Sequence, residues 1–229
     1  MKTVAVIPVK KVSERVESKN FRNFHEGKSL FELLIDKLID SKSFDEIYVS
    51  SNLHSLKDSL NEKGINFISR PDEFCNNDVP WSDVIAHVAE SIPEDDDSNI
   101  AWCHTTSPTF NRYKEAISKY LKLKKELKND GLITVTKSSD FIISEKLQPL
   151  NYSWGPWHQY SQFLEKFFYI TGALFITTKQ NMLKNRYVIS RNPFLFEVNN
   201  YESIDIDSEY DFELAKILLE NKKKLINND

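Results

Sequence analysis

The chain has 229 residues, 40% hydrophobic and 28% charged, with a net charge of −4. That is enough apolar material for one large domain or a domain with an arm, and an acidic balance argues against a general nucleic-acid binder, which needs a basic face. No apolar run approaches the roughly 18 to 20 residues of a membrane span, and with 5 glycines a glycine-rich phosphate loop is excluded.

Val4-Ala5-Val6-Ile7-Pro8-Val9 is almost wholly apolar, as a buried parallel strand is. No charged-then-apolar leader precedes it. The polar stretch from Lys10 to Asn20 then leaves its carboxyl end, where open α/β sheets place ligands. Lys10, Lys11, Arg15 and Lys19 supply cations there, beside Ser13 and Asn20. Such a loop suits a polyphosphate: cations neutralise it, while hydroxyl and amide groups orient it. The same composition also describes an ordinary solvated loop.

Ser29 and Glu32 predict a capping box for a helix carrying Leu30, Leu33, Leu34 and Leu38. Phe44 to Ser50 reads as a turn and second strand. His54 to Gly64 reads as a helix, Ile65 to Ile68 as a third strand, with Arg70-Pro71 at its end. The alternation predicts a parallel sheet with right-handed crossovers. Further along come a helix from Trp81 to Ser91, a solvated acidic turn at Glu94 to Asp97, and a strand from Ile100 to Cys103. A helix from Asn111 to Lys128, capped by Asn111, and a strand from Gly131 to Thr136 follow. From Phe141 to Phe168 the rhythm breaks into an aromatic, irregular segment, including Trp154, Trp157, Tyr160 and Phe163, read as an arm joining two subunits. Strands are expected at 170–176, 194–198 and 203–207, and a last helix at 208–221. No repeat or linker divides the chain into independent domains.

Two constellations carry chemistry. If Ile204-Asp205-Ile206-Asp207 is a strand, Asp205 and Asp207 share a face and suit a hard divalent cation such as Mg²⁺. Equally, Asp207 or Ser208 can cap the last helix, with Asp211 completing a box. Combined with Lys10 and Lys19, the aspartates make the equipment for attack at a nucleotide phosphorus. Cys75 and Cys103 lack metal-ligand spacing, which favours a reduced, cytoplasmic setting. No Ser-His-Asp arrangement appears, and His25, His54, His87 and His158 read as structural or exposed.

The run from Ile7 to Asn20 resembles the signature of acylneuraminate cytidylyltransferases, Ile-Pro-Ala-Arg-Gly-Gly-Ser-Lys-x-Ile-x-x-Lys-Asn. Four further stretches fall in that family's order: Phe44 to Ser51, Arg70-Pro71 with Glu73, Thr106-Ser107-Pro108, and Ile204 to Asp207. The resemblance implies a three-layer α/β/α, mostly parallel, Rossmann-like nucleotidyltransferase sheet filling one domain, with residues 141–169 as a dimerisation arm. It implies a homodimer that transfers CMP from CTP to an acidic sugar and releases pyrophosphate.

By the same resemblance Lys10, Lys19 and Asp207 are catalytic. Pro8, Val9, Lys10, Ser13, Arg15, Lys19, Asn20, Arg70 and Ser82 hold the nucleotide. His104, Thr106 and Gln162 meet the acceptor, Gln162 from the partner subunit's arm, and Asp205 and Asp207 hold Mg²⁺. The chain departs from the pattern at four places, one of them Lys11-Val12 where the family has small or glycine-like positions. Lys10 replaces Arg, which keeps charge but loses bidentate contact. His104-Thr105 stands for Gln-Pro, and Tyr169-Ile170-Thr171-Gly172 for Arg-Pro-Asn-Gly. Another acid such as a phosphonate, or a non-catalytic nucleotide-binding relative, is the alternative expectation.

Overall fold

The computed structural model describes residues 1–222 apart from 14, 77 and 139. In chain order the strands are β1 (Thr3–Pro8), β2 (Asn23–His25), β3 (Lys28–Ser29), β4 (Glu46–Ser51), β5 (Asn66–Ser69), β6 (Asn99–Cys103), β7 (Gly131–Ser138), β8 (Phe167–Thr178) and β9 (Pro193–Glu197). The helices are α1 (Leu30–Ser41), α2 (Lys57–Glu62), α3 (Trp81–Ser91), α4 (Tyr113–Glu126), α5 (Lys179–Asn185) and α6 (Glu209–Glu220).

Among the described residues, one seven-stranded sheet has the order β5-β4-β1-β6-β8-β7-β9. β8 alone runs against the rest, antiparallel to both β6 and β7. The expectation of a parallel sheet therefore holds with one reversed strand. Among the described residues only two short 3-10 turns, Gly155–Trp157 and Ser161–Phe163, and no α-helix lie between β7 and β8, so the chain returns antiparallel through a long irregular connection rather than a helical crossover.

Alternation along β1 builds both layers. Ala5 and Ile7 face a core with Phe31, Leu34 and Leu38 of α1 and Tyr113, Ile117 and Tyr120 of α4. Val4 and Val6 face another with Val84, Ile85 and Val88 of α3 and Met182 of α5. This gives the three-layer α/β/α fold. The capping box at α1 is present: Ser29 Oγ accepts from the Glu32 N–H, and the Glu32 carboxylate accepts from the Ser29 N–H.

Three expected elements change. Asn111 does not cap α4, whose first turn is instead stabilised by Arg112 on Glu115; Asn111 Nδ2 turns to the Thr109 carbonyl. Residues 204–207 belong to no strand, and of their N–H groups only that of Ile206 is bonded to a carbonyl, that of Thr106, at 2.9 Å. Their alternation reports one-sided burial rather than a sheet ladder. Third, the segment read as an arm is partly sheet: 167–169 open β8 and pair with β7. No helix among the described residues is long and apolar enough to cross a membrane.

Candidate active site

A cavity of about 950 Å³ opens at the carboxyl ends of β1, β5 and β6. Its wall includes Pro8, Lys10, Ser13, Arg15, Lys19 and Asn20 from the first strand and its loop, Arg70, then His104 and Thr106, and finally Asp205 and Asp207. Residues remote in sequence thus share one pocket. Three of the expected residues do not line it. Val9 is buried and its carbonyl accepts from Arg70 Nη2 at 2.6 Å. Ser82 turns its hydroxyl to Asp83, and Gln162 sits exposed in the arm.

A small satellite core explains how the cationic loop meets the aspartates. Val16 of the loop packs with Ile206, Phe24, Leu30 and Phe212, and Ile206 is completely buried. The apolar members of two polar motifs are fastened together, leaving their charged neighbours at the cavity. Ser208 supplies the cap of α6, with Asp211 completing the box. Because Ser208 does the capping, Asp207 is left to the pocket, where Arg15 Nη2 pairs with it at 2.8 Å. On the other side, Arg112 binds Glu202 at 3.3 Å and the Glu197 carbonyl at 3.2 Å, fixing the turn that leads into the aspartates.

Lys19 is the centre of this arrangement. Its ammonium donates to the Ile206 carbonyl at 2.5 Å, between the two aspartates. Burial lowers its pKa, and the charges of Asp207 and Asp205 oppose that shift. Asp205 moves up: loss of hydration leads, and Asp207 adds repulsion, against a Thr106 hydrogen bond and Lys19. Asn20, also buried, is fixed by the Thr105 hydroxyl on its Oδ1 at 2.7 Å. Arg70 joins the ends of β5 and β1 and touches Cys75 Sγ at 3.1 Å.

His104 lines the cavity with its ring held by neighbours. Its Nε2 accepts from the Trp102 indole at 2.9 Å, and its other nitrogen bonds the Gly172 backbone. Burial brings its pKa down to about 4, helped by Lys19, so the ring is neutral at pH 7 and both nitrogens are engaged. The backbone at Gly172 has φ +74°, a conformation natural to glycine, and lies beside both Asp205 and His104. The pairing of β7 with β8 shifts register here, with Thr134 alone opposite residues 171–174 of β8, and the Thr134 hydroxyl accepts from the Leu174 N–H across the bulge.

Sequence reading missed the opposite wall. Phe74, Val79, Trp81 and Val84 line the cavity from the segment after β5. Trp81 is half exposed and stands edge-on to Trp102, with ring centroids 5.6 Å apart. It continues the apolar stripe of Val84, Ile85 and Val88 at helical spacing, so the sequence offered no signal to separate it from a core residue.

Two carboxylates converging on one cavity suit a hard, oxygen-loving cation. Among the described residues no third Asp, Glu, His or Cys joins them, so such a cation would complete its shell with water or phosphate oxygens, as Mg²⁺ does.

This architecture is an α/β nucleotidyltransferase fold. Among solved structures it resembles a CMP:2-keto-3-deoxy-manno-octonic acid synthetase complexed with CTP, with TM-score 0.68 and 13% identity over 97% of this chain and 100% of that one. A 4-diphosphocytidyl-2C-methyl-D-erythritol synthase from Anaerococcus prevotii gives TM-score 0.63 and 15% identity over 96% of this chain and 99% of that one. The chain belongs to the cytidylyltransferase family, whose model matches residues 4–224. It is 28% identical over 97% of its length to the N-acylneuraminate cytidylyltransferase of Escherichia coli, and spans 53% of that protein. It is 24% identical over 95% of its length to a pseudaminic acid cytidylyltransferase of Campylobacter jejuni, and spans 96% of it. The chain thus covers about half the length of the N-acylneuraminate enzymes it matches.

Proposed function

We propose that this protein transfers CMP from CTP to an acidic sugar, releasing pyrophosphate, with Asp205 and Asp207 as the seat of Mg²⁺ and a homodimer as the working form. One observation carries the reading: Lys19, Asp205 and Asp207 meet at the mouth of a cavity that Lys10 and Arg15 also line. Family membership and the resemblance to N-acylneuraminate and pseudaminic acid cytidylyltransferases support the acidic sugar as acceptor.

In this reading the triphosphate lies over the exit of β1. Lys10 and Arg15 neutralise it, and Lys19 supplies positive charge where the pyrophosphate departs. Arg70 and the wall from Phe74 to Trp81 receive the nucleoside. An acceptor oxygen attacks the α-phosphorus, a bond to that oxygen forms, and the bond to the leaving pyrophosphate breaks. A bound divalent cation would supply electrostatic stabilisation of charge on the phosphates. Thr106, at the end of β6, faces the acceptor side. With both ring nitrogens of His104 engaged, the contact to the acid's anionic group falls to other groups, including Gln162 from the partner subunit. Both cysteines are unpaired, as suits a cytoplasmic enzyme.

The test is pyrophosphate release from CTP with N-acetylneuraminate, pseudaminate, 2-keto-3-deoxy-manno-octonate and a phosphonate, with and without a chelator. Chelator-sensitive release with one of the sugar acids is expected. Release with the phosphonate alone moves the acceptor class, and CTP binding without release on any acid leaves a nucleotide-binding relative.

A further inference from the structure

We propose that Arg15 is a resident counter-cation of Asp207, given up to the nucleotide's phosphates when nucleotide and divalent cation enter, so that the aspartate pair binds the cation poorly until CTP is present. This rests on the reading above and adds an order of events to it.

The aspartates already have two cations, and these differ in kind. Lys19 is buried and anchored on the Ile206 carbonyl. Arg15 reaches Asp207 from an irregular loop; its side chain is 69% exposed and that of Asp207 53% exposed. An ion pair so open to water is weak and exchanges readily. The two partners also line the cavity together. A triphosphate entering there offers a guanidinium several anionic oxygens in a geometry it matches bidentately, against one carboxylate. When Arg15 turns to the phosphates, Asp207 loses its counter-charge and becomes the better ligand for a cation. Conversely, a cation arriving first must displace Arg15 against its charge. The two binding events therefore assist each other, and the assistance is reciprocal.

The experiment measures Mn²⁺ binding without nucleotide, by the paramagnetic signal of the free ion, in wild type, Arg15→Gln, Asp207→Asn and the double variant. Arg22→Gln, which breaks a pair with Glu209 at the start of α6, serves as the charge control. Arg15→Gln is expected to tighten Mn²⁺ about two- to fivefold, the range of an exposed ion pair. It is also expected to weaken metal-free CTP, while Arg22→Gln changes neither. In the Asp207→Asn background the gain disappears. Unchanged Mn²⁺ affinity in Arg15→Gln, no detectable Mn²⁺ binding in either protein, or the same gain in the absence of the Asp207 carboxylate overturns the proposal. Should Asp207→Asn leave Mn²⁺ binding and CTP-dependent turnover untouched, the assignment of the aspartates fails instead, which is a separate result.

Discussion

The Lys19 ammonium and the Ile206 carbonyl are 187 positions apart in the chain and 2.5 Å apart in space. That contact joins the loop after the first strand to the segment before the last helix, and it places a buried cation between two carboxylates. Lys19→Met removes the charge and keeps the volume. Turnover is expected to fall by about a hundredfold or more, the loss typical of one preorganised electrostatic group. The melting temperature should hold or rise, because a desolvated ammonium is replaced by an apolar chain. Pyrophosphate release within a few-fold of wild type would remove Lys19 from the chemistry.

Asp207 and Ser208 are neighbours with separable duties. Ser208 Oγ accepts from the Asp211 N–H and caps α6, whereas Asp207 faces Arg15 and the cavity. Asp207→Ala is expected to abolish turnover with the fold intact. Ser208→Ala should cost about 1 kcal/mol of stability, as lost caps do, with little effect on the CTP constant. Paired urea melts and pyrophosphate assays distinguish the two. Near-normal release by Asp207→Ala refutes its metal role.

Much of this was legible in the residues because burial and capping are local. The Ser29–Glu32 box and the bounds of α3 follow from side chains within one or two turns. The pairing of the Lys10 to Asn20 loop with the Asp205 pair was legible through the chemistry that each lacks alone. What was not legible depended on partners distant in the chain. Ile204 and Ile206 alternate with aspartates as strand residues do, but their apolar side packs on Val16 and Phe212 instead of joining β9. His104 sits at a strand end like a ligand. Its donor, Trp102, is on its own strand, while its other partner, Gly172, lies on β8, 68 positions on, and no local pattern announces that pairing. Trp81 reads as the first residue of a core helix until the cavity in front of it is seen.

The arm makes a prediction about assembly. Its inner part is ordered by its own contacts: Phe141 stacks on His158 with centroids 4.9 Å apart, and Asn151 binds the Ile142 N–H and the Asp140 carbonyl. Its outer part leaves Trp154, Trp157, Tyr160 and Phe163 more than half exposed. Large exposed aromatics grouped in one segment mark a protein–protein surface. Replacing Trp157 and Tyr160 together with Lys is expected to convert a dimer to a monomer in sedimentation velocity, with an unchanged melting transition under dilute conditions where wild type is also dissociated. A wild-type monomer at high concentration, or an unaltered dimer in the variant, counts against the arm as the interface.

Lys37 makes the last prediction, one about pH. From α1 its amine donates to the carbonyls of Pro108 and Phe110, holding the loop that follows Thr105 and Thr106. Among the described residues no carboxylate compensates it; burial brings its pKa down to about 7, and Lys222 pushes the same way. A neutral amine has two N–H groups, enough for the two carbonyls. In the unfolded chain this lysine keeps its proton to about 10.5, so between pH 7 and that value the unfolded state holds more protons. Stability therefore rises with pH in this window, by up to about 1.4 kcal/mol per unit from this group. Burial holds Cys103 and Tyr120 protonated well above their usual range, which works in the opposite sense once the unfolded thiol and phenol ionise, near 9 and 10. The clean interval is accordingly pH 7 to 9. Urea midpoints should climb across it in wild type, by about 2 kcal/mol from Lys37, and climb less steeply in Lys37→Met, where Lys19 and Lys124, also lowered by burial, still contribute in the same sense. The same slope in both proteins would mean that Lys37 enters the folded state charged.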